Sequence, residues 1–204
     1  MTAAVMAVGL GASVAQTVYS VNSVGYVNLA LPTGYSLIAN PLNGTNNLLS
    51  TVLPVVPEDT LIYKFNPGTQ QFADANQFIG GFGWFPDATL NPGEGCFIGL
   101  PSAATLTFVG EVPQGNLTNQ VPSNYSLRSS QVPQAGLLSS ALTYPAVDND
   151  LVYQWDRVNQ RYLDANTYID GFGWFPAEPN IGVGESFFIQ TGTAHAWTRT
   201  FSVN

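Results

Sequence analysis

Charge is what this chain has least of. Only 9% of its 204 residues are Asp, Glu, Lys or Arg, against about 25% in an average soluble protein. One lysine (Lys64) and four arginines (Arg128, Arg157, Arg161, Arg199) leave a net charge of −8. With no basic stripe to neutralise phosphates, the composition excludes nucleic acid and anionic membrane surfaces as partners. Cysteine is equally scarce. Cys96 stands alone, so no intrachain disulfide forms, and nothing basic beside it would lower its pKa. A single histidine, His195, rules out a histidine metal cluster, and no nucleophile-elbow motif surrounds a serine. The one long apolar run, residues 2–15, is too short for a bilayer span. What replaces the missing charge is Asn, Gln, Ser, Thr and Gly, a composition suited to a β-rich protein with an uncharged surface.

The feature that is present in force is duplication. Gly81-Phe82-Gly83-Trp84-Phe85-Pro86 returns 90 residues later as Gly171-Phe172-Gly173-Trp174-Phe175-Pro176. Asp74-Ala75-Asn76 and Ile79 return at the same offset as Asp164-Ala165-Asn166 and Ile169. Self-similarity at a fixed period marks a repeat architecture. The expected organisation is a signal peptide over residues 1–16, one β repeat over 17–113 and a second over 114–204. The leader reading rests on the apolar run and on Ala12-Ser13-Val14-Ala15-Gln16 as a small-residue cleavage site. The basic stretch that should precede it is missing, which suggests an earlier start. Secretion to the extracellular space or cell surface follows.

Within each repeat the pattern reads as short strands. Tyr35-Ser36-Leu37 matches Tyr125-Ser126-Leu127, and Leu61 to Phe65 alternates, with Leu61, Tyr63 and Phe65 on one face. A turn at Asn66-Pro67-Gly68-Thr69 closes a hairpin. Leu48, Leu49, Val52 and Leu53 recur as Leu137, Leu138, Ala141 and Leu142, the spacing of one face of a short helix. Cys96, aligned with Ser186, sits in a buried strand. About six strands per unit predict an all-β fold of two tandem β-sandwich-like repeats, each with a helical turn, packed tightly because the junction is only Pro113-Gln114-Gly115.

The ends suggest an assembly. Tyr19-Ser20-Val21-Asn22 reappears 182 residues on as Phe201-Ser202-Val203-Asn204, as if the chain were cut from a continuous array. One reading has both strands finish their own sheets. The other has a terminal strand pair with the next copy, and such a heterologous contact propagates into a filament. The near absence of edge-protecting lysine agrees with the second. The function expected on this basis is that of an extracellular structural subunit, a homopolymer joined through these strands. The alternative is a carbohydrate-binding or adhesion module that stacks surface glycans on Trp84, Trp174, Tyr63, Tyr153 and Trp155; against it, Trp84 and Trp174 are of the size that anchors cores, with Gly81 and Gly83 permitting close backbone packing.

Catalysis finds little footing. Glu94 and Glu185 could pair as a glycosidase acid and base, but they are repeat-related, one per unit, which favours turn carboxylates that accept backbone N–H bonds. His195 reads as a surface or edge-strand residue. Asp74, Asn76, Asp164 and Asn166 are candidates for calcium, yet the loop signature is missing and an Asx-type turn fits better. No other cofactor is expected.

Five stretches carry a resemblance: Val21 to Asn28, Tyr35-Ser36-Leu37-Ile38-Ala39-Asn40-Pro41-Leu42, Pro92 to Phe97, Phe108 to Gly115 and Arg199 to Asn204. Together they resemble a family of small exported two-repeat proteins of Verrucomicrobia-type bacteria. The resemblance implies export and duplication and assigns no activity.

Overall fold

The computed structural model describes residues 23–203, and it is all-β with one short helix. The first half holds β1 (Val24–Leu31), β2 (Gly34–Ala39), α1 (Leu49–Val52), β3 (Leu61–Asn66), β4 (Gln71–Phe72), β5 (Asn76–Ile79), β6 (Gly83–Phe85), β7 (Gly95–Leu100) and β8 (Ala104–Glu111). The second half holds β9 (Gly115–Val121), β10 (Asn124–Arg128), β11 (Gly136–Leu137), β12 (Leu151–Tyr153), β13 (Trp155–Asp156), β14 (Arg161–Tyr162), β15 (Asn166–Ile169), β16 (Gly173–Phe175), β17 (Asn180–Ile181), β18 (Phe187–Thr191) and β19 (His195–Phe201).

Both halves use one strand order. The main sheet runs β2-β7-β3-β5-β6 in the first and β10-β18-β12-β15-β16 in the second, all antiparallel. A two-stranded ribbon, β1 with β8 or β9 with β19, covers one face of each sheet. The layers are sandwich-like and do not close into a barrel. Among the described residues the halves hold eight and eleven strands, more than the half-dozen expected per unit. In β1 and β9 the inward positions include Gly25 and Asn119, while Val24 and Tyr26 face solvent.

Strand alternation sorts the core. On β7, Cys96 and Ile98 point to the ribbon and meet Leu106, Phe108, Ile38, Ile62 and the α1 leucine Leu49. Phe97, between them, points the other way and packs with Leu37, Leu127 and Phe188 from both halves. On β18 the same holds for Phe187 and Ile189 against Phe188. The centre of each main sheet is therefore buried on both faces, which explains the consecutive apolar residues Cys96-Phe97-Ile98 and Phe187-Phe188-Ile189. Burying each such Leu, Ile or Phe contributes about 1.5–3 kcal/mol.

The halves are related by a pseudo-two-fold axis. Gly93 and Gly184 occupy equivalent turns, and each carbonyl accepts a bond from the other half's edge strand: Ala39 N to Gly184 O at 2.9 Å, Ser129 N to Gly93 O at 3.1 Å. A Cβ built on Gly95 would lie 2.6 Å from the Ser186 Cβ. These two residues are equivalent, so the axis passes between them and leaves no room for a second side chain. The strand registers also correct an alignment. Ile38 faces Cys96 and its equivalent Arg128 faces Phe187, so Cys96 corresponds to Phe187 and Gly95 to Ser186.

A second correction concerns the helices. α1 forms in the first half, but residues 138–142 form a turn. There β11 pairs with β17, and Glu178 Oε1 accepts the amides of Ser139 and Ser140 at 2.6 and 2.7 Å. Leu138 and Leu142 are buried as expected, whereas Leu137 is exposed. Among the described residues no helix is long and apolar enough to cross a membrane.

Candidate functional site

The duplicated hexapeptide builds the outer end of each sheet. Gly81 and Gly83 have φ of +79° and +88°, and Gly171 and Gly173 of +72° and +98°, values open to glycine at little cost. No atom lies within 4 Å of a Cβ built at any of the four. The glycines serve the β5–β6 and β15–β16 turns, then, and not close backbone packing. Trp84 is a core residue, 6% exposed, and its indole N–H donates to Leu53 O at 2.9 Å. Trp174, half-buried, donates to Ser139 Oγ at 3.0 Å, while Trp197 takes over the Leu142 carbonyl at 2.9 Å. Trp84 is thus not available as a sugar platform. The flanking phenylalanines project instead: Phe82 and Phe172 are 90% and 75% exposed.

Tyr63, Tyr153 and Trp155 lie elsewhere, at the junction of the halves. There the inner faces of the two sheets form twin clefts. One, of about 580 Å³, is lined by Phe65, Gln70, Tyr125, Tyr153, Tyr162 and Phe188. The other, of about 470 Å³, is lined by Tyr35, Tyr63, Phe72, Phe97, Trp155 and Tyr162. Five positions of each lining have their counterparts in the other; Gln70 lines only the larger cleft, and Tyr162 lines both. Phe65 to Phe188 spans 5.0 Å between ring centroids, as does the equivalent Trp155 to Phe97. Phe65–Phe72 and Trp155–Tyr162 are 5.2 and 4.9 Å, and Tyr35–Phe97 and Tyr125–Phe188 are 6.2 and 6.4 Å. Most are edge-to-face, the arrangement the ring quadrupole prefers.

Two glutamines fasten the walls. Gln70 and Gln160 end the β3–β4 and β13–β14 turns in the left-handed region, at φ of 57° and 51°. Each reaches across to the other half's edge strand. Gln160 accepts from Tyr35 N at 2.6 Å and donates to Tyr35 O at 3.0 Å. Gln70 accepts from Tyr125 N at 3.1 Å and donates to Tyr125 O at 3.0 Å. Trp155 Nε1 adds a bond to Tyr35 O at 2.9 Å.

The polar atoms of the clefts are mainly tyrosine hydroxyls. That of Tyr63 is held above the ordinary range by burial first, and then by the charge and hydrogen bond of Tyr35. Burial, and then the Tyr125 hydroxyl, does the same for Tyr153. Burial pushes Tyr162 up to about 12. No carboxylate, histidine or thiol lines either cleft.

The remaining candidates are dispersed. Glu94 and Glu185 accept their own turn amides, Asn91 N at 3.0 Å and Gly182 N at 2.9 Å, as the duplicated turn implied. Asp74 and Asp164 are exposed, and Asn76 is buried with its amide donating to Pro86 O at 2.7 Å. Asn166, half-buried, pairs in β15. Among the described residues no group of three or more His, Cys, Asp or Glu could hold a metal ion. His195 is half-buried in β19, its Nε2 3.0 Å from the Tyr144 hydroxyl, which donates to the buried Asp150 at 2.7 Å. Cys96 is fully buried and its thiol is pushed up to about 12 by burial. Of the terminal residues, Phe201 pairs with Gly115 inside the chain and Ser202 and Val203 follow the strand. Tyr19, Ser20, Val21, Asn22 and Asn204 lie outside the described residues.

Sequence reasoning missed Tyr35, Phe65, Phe72, Phe97, Tyr125, Tyr162, Phe188 and both glutamines as site residues. A signal was present: every one has an aromatic or glutamine counterpart in the other repeat. No family model matches the chain, and no curated protein or solved structure does.

Proposed function

We propose that this chain is an exported saccharide-binding module, serving adhesion or glycan capture through its twin aromatic clefts. The observation that carries the reading is the repetition of the whole cleft, rings and glutamine clamp together, about the pseudo-two-fold axis. A sugar ring has an apolar C–H face and a rim of hydroxyls. A tyrosine-rich wall offers the matching pair, an apolar face to stack on and an O–H to hydrogen-bond. The cleft volumes fall in the range of about 300–1,000 Å³ usual for small-ligand sites. The low surface charge suits a neutral polymer, and linings without acid, base or nucleophile suit binding without chemistry.

The test is retention of the protein on immobilised or gel-embedded polysaccharides. Tyr125→Ala and Tyr162→Ala, both at exposed cleft positions, are expected to abolish retention. Phe82→Ser is expected to leave it unchanged. Retention that survives both cleft substitutions would overturn the reading.

Self-association is a second reading, and the exposed phenylalanines favour it. β6 and β16 end their sheets, and each carries an outward pair, Phe82 with Phe85 and Phe172 with Phe175. Exposed apolar groups on a sheet edge invite pairing with another copy. On the terminal-strand route, β19 pairs with β9 on one edge of a two-stranded ribbon. Sedimentation velocity would separate the cases: filaments dispersed by Phe82→Ser with Phe172→Ser support assembly through the hairpin tips, and a monomer at high concentration excludes it.

A further inference from the structure

The twin clefts differ in one respect. Phe65, a wall of the larger cleft, is also a wall of a polar recess of about 330 Å³, lined further by Lys64, Asn66, Glu94, Leu127 and Arg128. Two of the chain's five cationic side chains meet there. Lys64 Nζ bonds Thr89 O at 2.6 Å and Glu94 Oε2 at 3.0 Å, which leaves one of its three donors. This is the one ion pair among the described residues.

Arg128 has no carboxylate within ion-pair distance among the described residues. Its Nε donates to Gln120 O at 2.7 Å and its Nη1 to Leu127 O at 2.8 Å, two of five available N–H groups. Burial lowers its pKa, and the charge of Glu94 opposes that shift. One carboxylate therefore stands against two cations, leaving an excess of positive charge in a chain of net charge −8. A desolvated guanidinium bonded only to carbonyls is costly unless an anion joins it.

The duplication supplies the control. At the equivalent place beside the smaller cleft, the position of Lys64 is taken by Gln154 of the second half and that of Arg128 by Ile38 of the first. Gln154 keeps the structural bond, Nε2 to Asn180 O at 2.9 Å, where Lys64 bonds the equivalent Thr89 O. Ile38 is a core residue. The carbonyl contact alone does not call for a lysine, and the strand position alone does not call for an arginine.

We propose that this recess is an anionic subsite, so that the larger cleft takes a carboxylate-bearing sugar, a uronate, while the smaller takes a neutral one. The inference rests on the saccharide reading above. The sugar ring would stack against Phe65, the wall that the cleft and the recess share, and its carboxylate would meet the Arg128 fork, whose planar donors match a carboxylate, with Lys64 beside it.

The experiment is calorimetric titration of the whole chain with oligogalacturonate and oligomannuronate, each beside its neutral methyl ester, at low and high salt. The acids are expected to bind about tenfold more tightly than their esters, the effect of one charge-assisted contact. That advantage should shrink with salt. Lys64→Gln and Arg128→Gln should each remove it without weakening the esters, and Arg128→Lys should restore only part. Lys64→Gln alters a partly exposed side chain, so it remains informative if Arg128→Gln impairs folding. Equal binding of acid and ester, or an acid preference that persists in Lys64→Gln, would overturn the anionic subsite and leave the saccharide reading standing. Binding of none of the four ligands would overturn both.

Discussion

Shortening the two glutamine clamps tests the architecture that creates the clefts. Gln70→Asn and Gln160→Asn keep the amide and tolerate the left-handed backbone, but the side chain no longer spans to the opposite edge strand. Each loses two cross-half bonds, to the amide and carbonyl of Tyr125 or Tyr35, and one bond within its own turn, to Pro67 O or Arg157 O. At about 0.5–1.5 kcal/mol net per neutral bond, and nearer the lower figure because these sites are solvent-exposed, each substitution should cost about 1.5–3 kcal/mol. For a chain of this size that is a fall in Tm of roughly 2–4 °C per kcal/mol. The clamps share no partner, so the double variant should show the summed loss. Urea denaturation of the four proteins measures it. The symmetry argument requires the two single variants to lose similar amounts. A large loss in one with none in the other, or no loss in either, would refute the reciprocal clamp.

Three further outcomes are expected. The buried hydroxyls of Ser36 and Ser126, equivalent positions, have no hydrogen-bond partner among the described residues, so Ser36→Ala and Ser126→Ala should each be neutral or raise stability by about 1 kcal/mol in the same urea assay. Trp84→Phe should cost about 1–3 kcal/mol, because the Leu53 carbonyl is left unpaired in the core, whereas Trp174→Phe, which deserts only a hydroxyl, should cost less. Stability should fall in alkali. Burial raises Tyr162 and Cys96 to about 12, so the fold holds protons that the unfolded chain releases nearer 9 or 10; their contribution is complete below that range and is lost as the pH rises towards 12. Urea midpoints flat up to pH 11 would contradict this.

Much of the fold was legible because duplication samples each position twice. Leu61, Tyr63 and Phe65 alternate in one copy and Leu151, Tyr153 and Trp155 in the other, so the shared pattern stands out from accidents of either. The turns at Asn66 and at Gly93 and Gly184 were legible for the same reason. What escaped was everything that depends on how the copies meet. Phe97 and Phe188 sit in runs that read as simple core, and only the pairing of the halves reveals that they face each other's sheet. Trp84 shows the converse: a duplicated tryptophan beside two glycines reads as an anchor more readily than as a platform, and its burial and its bond to Leu53 O bear the anchor out. Gln70 and Gln160 carry no local pattern, because their partners lie 55 and 125 residues away. The second helix gives way to a turn in which the amides of Ala141 and Leu142 both bond Leu137 O; the carboxylate at its start is common to both halves, Asp87 accepting from Ser50 N as Glu178 accepts from Ser139 and Ser140.

The most direct measurement of the central claim is an aromatic ¹H–¹³C NMR titration with a panel of soluble neutral and acidic oligosaccharides, with ring signals assigned residue by residue. The twin-cleft account predicts shifts at Tyr35, Tyr63 and Trp155 on one side and at Tyr125, Tyr153 and Phe65 on the other, with Phe82 and Phe172 unmoved. Shifts confined to the exposed phenylalanines, or none across the panel, would contradict it.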